Sequence, residues 1–291
     1  MGLLWGALAL SPAAAHAQPA DLFYERAVMS AADQRCGLFA PEVSAALAAA
    51  TAQARGAALR AGVSGEALRQ SERTAQTKAA VVDCRSADIQ TAAARVKSAF
   101  AGFAKLTRLT YAGDVAAWQA DRNFSRSARW QLSQETSFGP GPENDRMAFG
   151  LIGRDGASAL VAVAHFAGDG EPYAARLVLR DQARSDRPYL VRFGAGSTAG
   201  LPLAQRLPPA GAQKAYVAAA RAAAGPDILP KGAASGWAFR FPDSAAADLA
   251  RLDPRESVAV DFLFAGDVTR RAYVEVGDFA AGRAFLQVSG R

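Results

Sequence analysis

The hydrophobic pattern of this chain changes period near Gly113, and that change limits the folds open to it. From Asp21 to Tyr111 apolar residues recur at three and four positions, the spacing of one helix face. Beyond Gly113, alternating and β-branched runs are bounded by Gly, Pro and Asp, the pattern of strands joined by tight turns. The expected fold class is therefore α+β: an N-terminal helical bundle followed by an antiparallel β-rich domain with inserted helices.

In the helical half, Leu22, Phe23, Val28 and Met29 begin a helix that stops at Cys36-Gly37. A second, Ala-rich helix opens at Pro41-Glu42 and ends at Arg60-Ala61-Gly62, with a base in its last turn and Gly as the stop. Ser64 caps a third that runs to about Cys84, and Ser86 caps a fourth. The fourth carries Ile89, Ala93, Val96, Phe100, Phe103 and Leu106 on one face. In the second half the expected strands are Arg129–Phe138, Met147–Ile152, Ala159–Phe166, Ala175–Arg180, Tyr189–Phe193, Trp237–Phe241, Ser257–Phe264, Arg271–Val276 and Ala284–Val288. Helices are expected over Gly211–Ala224 and Ser244–Leu252. Arg154-Asp155-Gly156 and Gly168-Asp169-Gly170 read as turns, and Gly139-Pro140-Gly141-Pro142 as a loop. The expected division is a signal peptide over 1–17, a helical domain over 18–112 and an α+β domain over 113–291.

The apolar run Leu3 to Ala15 ends in Ala15-His16-Ala17, an Ala-x-Ala cleavage pattern, so export and a mature chain from about Gln18 are expected. Only Met1-Gly2 precedes the run, without Lys or Arg. Either the α-amino group supplies the usual charge or the start lies upstream. The competing reading is a short buried N-terminal helix. No later apolar stretch is long enough to span a bilayer. The two cysteines, Cys36 and Cys84, fall at the ends of the first and third expected helices. In an oxidising compartment they are expected to pair and clamp those helices together. Their separation is unlike Cys-x-x-Cys, so a structural bond is expected rather than a redox pair.

Net charge is +6, and it is spread: residues 18–112 carry twelve bases against eight acids, residues 113–291 twenty-one against nineteen. With no block of like charge, nucleic-acid binding is disfavoured. His165 is the one histidine beyond the expected cleavage point, and it shares a strand face with Val161 and Val163, which reads as packing. Gly194-Ala195-Gly196-Ser197-Thr198-Ala199-Gly200 is neither a nucleophile elbow nor a dinucleotide fingerprint, and it reads as a loop. No catalytic, cofactor or metal residues are nominated. The unusual segment runs from Trp118 to Trp130, where Trp118, Arg122, Phe124, Arg126, Arg129 and Trp130 interleave arginine with aromatic rings. Two readings fit it: a contact surface for an anionic ligand, or an interdomain stretch with core aromatics and solvated arginines.

Near the C-terminus, Trp237–Phe241, Ser257–Phe264 and Val274-Glu275-Val276-Gly277-Asp278-Phe279-Ala280-Ala281 through Leu286 resemble the end of the invasion-associated locus B proteins. Those are exported bacterial proteins with a closing strand and a Gly-Phe-x-x-Ala helix start. Here Asp278 separates Gly from Phe, and the family's cysteines are missing from this stretch. The resemblance implies an envelope or secreted accessory role and no catalytic residue. The function expected is an exported, envelope-associated binding or accessory protein, periplasmic or secreted, whose partner is an envelope polymer or another exported protein. The alternatives are a carboxylate-dependent hydrolase of envelope polymers and a chaperone or inhibitor of another exported protein. The cleft between the two expected domains is the default ligand site.

Overall fold

The computed structural model describes residues 18–139, 145–154, 157–168, 170–190, 198 and 200–288. The expected signal segment 1–17, the tip of the 139–142 loop, Asp155-Gly156, Asp169 and most of 191–199 lie outside the described residues. Four helices come first: α1 Pro19–Cys36, α2 Pro41–Arg60, α3 Gly65–Val81 and α4 Ala87–Phe103. The boundaries follow the caps. Ser64 Oγ accepts from the Ala67 N–H and Ser86 Oγ from the Ile89 N–H, while Gly37 ends α1 in a left-handed conformation at φ 60°. Cys36 and Cys84 form a disulfide with Cα atoms 5.6 Å apart, tying the end of α1 to the turn between α3 and α4.

The strands are β1 Arg108–Tyr111, β2 Trp118–Asp121, β3 Arg129–Phe138, β4 Asp145–Arg154, β5 Ala157–His165, β6 Ala174–Arg180, β7 Gln213–Val217, β8 Ala220–Ala223, β9 Trp237–Arg240, β10 Ser257–Leu263 and β11 Thr269–Glu275. Helices α5 Asp243–Leu249 and α6 Phe279–Leu286 are inserted late. One antiparallel sheet has the order β1-β2-β3-β4-β5-β9-β8 and the other β11-β10-β6-β7. The two face each other over one core. Phe149 and Phe239 come from the first sheet, Phe241 from just beyond β9, and Leu177, Val260 and Phe262 from the second. Phe239 and Phe262 meet across the layers at 5.5 Å between ring centres.

The arrangement corrects four expectations. Arg108–Tyr111 is a strand, because its residues pair with β2 rather than extending α4. Gly211–Ala224 is not a helix: after a single 3-10 turn it runs as β7 and β8. β7 pairs with β6 in one sheet and β8 with β9 in the other, so a helix-favouring Ala-rich segment is captured by two open sheet edges. Ala284–Val288 is not a closing strand. Phe279, Ala281, Gly282 and Phe285 are buried at helical spacing, and α6 wedges between α2 and strands β2 and β3. In the Tyr189–Phe193 segment, Tyr189 and Leu190 form a helical turn and the rest lies outside the described residues.

The Ala-rich α2 is an internal packing element. It packs against α1 on one side and α6 on the other, and Ala49 belongs to the main core. Small residues let the α2 and α6 backbones approach. A Cβ on Gly56 would lie 2.6 Å from Asp278 Oδ1, and Asp278 holds Arg60 of α2 through two bonds of 2.7 and 3.0 Å. The helical bundle and the sandwich therefore meet along a tight, ion-paired seam.

Candidate functional site

The segment from Trp118 to Trp130 is divided by the fold. Trp118 is fully buried, and its Nε1–H donates to the carbonyls of Glu275 and Val276 at 3.2 and 3.1 Å. Trp130 packs on Ile228 and Leu229 on the other face of the sheet and donates to the Ile228 carbonyl at 2.9 Å. Both indoles are structural. Arg122 donates to the carbonyls of Leu106, Ala104 and Val288 and lies 4.9 Å from the centre of the Phe285 ring. It thereby ties the ends of α4 and α6 to β2. Burial lowers its pKa below the usual arginine value. Arg129 bonds Asp121 at 2.6 Å and the Asn123 carbonyl at 2.9 Å. Phe124 and Arg126 point outward, Phe124 with 76% of its surface exposed.

Arg122, Phe124 and Arg129 do converge on one feature, a pocket of about 610 Å³. That volume lies in the range of small-molecule sites, about 300–1,000 Å³. Its walls are the loop after β2, the ends of β3 and β4, the start of β5 and the last turn of α6. The sequence does not announce the other side chains it gathers: Gln131, Arg154, Ser158, Arg283 and Gln287. A β-bulge places Gln131. Trp130 pairs with Ile152 and Leu132 with Leu151, leaving Gln131 as the extra residue, and bulges re-aim side chains in this way. Gly153 gives it room, since a Cβ there would lie 2.5 Å from Gln131 Oε1.

Charge distinguishes this pocket from its rivals. Four arginines line it, and among the described residues no carboxylate does. Asp121 lies just behind the wall and is shared between Arg108 and Arg129. Burial raises the Asp121 carboxyl, but hydrogen bonds from Asn123, Arg108 and Arg129 outweigh it and hold the pKa below the ordinary value. Arg154 and Arg283 have no ion pair or hydrogen-bonded partner among the described residues. A second groove of about 400 Å³ lies at the seam between α2, α3 and the sandwich, where the default ligand cleft was expected. Most of its arginines are matched by carboxylates: Arg69 with Glu66, Arg180 with Glu256, Arg251 with Asp248, Arg255 with Asp253 and, more loosely, Arg187 with Asp186, while Arg55 has no ion pair among the described residues. A third, apolar groove of about 450 Å³ is lined by Leu22, Met29, Leu47, Val96, Phe100 and Phe103 of the bundle.

The buried carboxylates elsewhere are engaged in structure. Glu256 is raised above the ordinary carboxyl value by burial, yet Arg180 holds both its oxygens at 2.8 Å, so neither is offered to a substrate. His165 closes β5 with Nδ1–H donating to the Ser235 carbonyl at 2.9 Å. Among the described residues no three His, Cys, Asp or Glu side chains converge on a metal-sized point. Thr198, from the Gly-rich stretch, donates to Asp114 at 2.9 Å, and Gly194–Ser197 lie outside the described residues.

No family model matches this sequence, and comparison with curated proteins and with solved structures returns no similar chain. Function therefore has to be argued from the site itself.

Proposed function

We propose that this chain is an exported, envelope-associated binding protein that acts without catalysis, and that the arginine-lined pocket at the β2–β3 end of the sandwich is its ligand site. The observation that carries the reading is a concave surface lined by four arginines and by no carboxylate among the described residues, where Asp121 behind the wall pairs with Arg129 and the forks of Arg154 and Arg283 have no ion pair. Uncompensated like charge around a cleft costs stability in the free protein and concentrates an opposite charge in solution. Arginine also presents a planar fork that matches carboxylate and phosphate oxygens. Export is supported by the Ala-x-Ala segment and fits a chain whose two cysteines are paired. No helix among the described residues is long and apolar enough to cross a membrane, so the proposed association is peripheral.

Co-sedimentation of the purified protein with isolated cell-envelope material across a salt series tests this. Binding at low salt that declines as salt rises is expected, because exposed charges are screened beyond about 10 Å at 0.1 M. The double variant Arg154→Gln, Arg283→Gln should weaken low-salt binding about tenfold or more while leaving the melting temperature unchanged. Absence of binding at every salt concentration overturns the proposal.

A further inference from the structure

We infer that the pocket takes an acidic glycan, a short run of sugar units bearing carboxylates. The inference rests on the pocket being the ligand site, and three features of its wall select this chemistry. The first is the pair Arg154 and Arg283, whose forks are uncommitted among the described residues and suit a planar carboxylate. The second is the neutral polar lining. The Gln131 amide and the Ser158 hydroxyl also have no hydrogen-bonded partner among the described residues. An amide offers a donor and an acceptor side by side, as a sugar hydroxyl requires, since it donates and accepts at once. A fully ionised phosphate could accept from the Ser158 hydroxyl and the Gln131 amino group but has no donor for the Gln131 amide oxygen, which a sugar hydroxyl supplies.

The third feature is Phe124, whose ring stands at the rim with 76% of its surface exposed. The Ser125 hydroxyl donates to the Ser127 carbonyl at 2.9 Å and accepts from the Ser127 N–H at 3.2 Å, fixing the turn beside it. An exposed phenyl ring is costly to keep in water and offers an apolar face against which the C–H side of a pyranose can lie. Single-stranded nucleic acid also stacks on aromatics, but it is bound by successive rings along a groove that tracks the phosphates. Here Phe124 is the one ring among the described lining residues of a single pocket whose wall also includes Arg283, Leu286 and Gln287 at the end of α6.

Isothermal titration calorimetry with trigalacturonate, neutral maltotriose, tripolyphosphate and a short single-stranded DNA decides the matter. Trigalacturonate should bind saturably and at least about tenfold more tightly than each of the other three. Phe124→Ala should weaken trigalacturonate about tenfold and leave the weak binding of tripolyphosphate unchanged. Phe124 is exposed, so the variant should keep the parent melting temperature. Tighter binding of tripolyphosphate or DNA, or indifference of trigalacturonate to Phe124→Ala, overturns the glycan assignment while the anion-binding pocket stands. If no anion binds and Arg154→Gln, Arg283→Gln changes nothing, the pocket reading falls with it.

Discussion

At the scale of single residues, Glu275 shows how a buried charge organises distant chain. Its carboxylate accepts the backbone N–H groups of Asp114, Val115 and Ala116 at 2.8 to 2.9 Å, and Arg206 lies 3.8 Å away. The 113–116 turn wraps the carboxylate so closely that a Cβ on Gly113 would sit 2.6 Å from Glu275 Oε2 and 2.2 Å from the Ala116 carbonyl oxygen. Glu275→Gln keeps the size but turns one acceptor into a donor facing amide hydrogens. Hydrogen bonds to a charged group contribute about 1.5–3 kcal/mol each, so a loss near 3 kcal/mol is expected, read as a lower urea midpoint at unchanged slope. An unchanged midpoint would show that Trp118 and Arg206 alone hold the turn. None of this was legible in the sequence, because Glu275 and its partners lie about 160 positions apart. The same limit governs the ligand pocket. Its aromatic and arginine segment stood out by composition, but the uncommitted arginines, Arg154 and Arg283, come from a hairpin and a helix elsewhere in the chain.

At the scale of elements, the seam between α2 and α6 turns a usual rule around. Glycine in a helix interior is about 1 kcal/mol worse than alanine, so Gly56→Ala would stabilise an isolated α2. Here the added methyl would meet Asp278 Oδ1 at 2.6 Å, and that carboxylate is buried and held by Arg60. The substitution must either push the helices apart or break the ion pair, so a net loss of about 1–3 kcal/mol is expected. A melting temperature at or above the parent's would mean that the seam yields freely. The helical half was readable because its signals are local: caps at Ser64 and Ser86, stops at Gly37 and Gly62, and an apolar face on each helix. The long strands β3 to β6 were readable as alternating or β-branched runs bounded by turn residues. The misreading of 211–224 falls where long-range pairing overrides local preference. Residues 213–223 carry alanines that favour helix, yet the N–H groups of Ala218 and Ala219 donate to Ala175 and Arg240 in the two different sheets. That link closes one edge of the sandwich, and no local window contains its partners.

At the scale of the whole molecule, the charge balance predicts how stability and binding respond to acid. Asp261 is fully buried between Arg176 and Arg271 on the small sheet; burial raises its carboxyl, but the two guanidinium groups outweigh that and depress it. Asp121, behind the pocket wall, is depressed in the same sense. A depressed folded pKa contributes stability above the ordinary carboxyl value of 3.8 that disappears as pH falls through the folded value. Glu256 runs the other way: burial raises it, so its contribution is complete below 4.5 and is lost as pH climbs through the folded value. A melting curve should therefore show a shallow gain on acidification toward pH 4.5 and a steep loss below 3.8. Asp261→Asn should lower stability at neutral pH and flatten the acid limb; an unaltered acid limb would remove Asp261 from the account. Binding should follow a different curve. The pocket's cations are arginines, which stay charged across the accessible range. Affinity for a carboxylate-bearing glycan should be constant from about pH 5 to about pH 9 and fall only as the ligand's own carboxylates protonate, near about pH 4. A histidine-gated site would instead titrate near about pH 6.5. Measuring trigalacturonate affinity at pH 4, 6 and 8 separates the two, and a step between pH 6 and 8 would place the binding charge on some group other than these arginines.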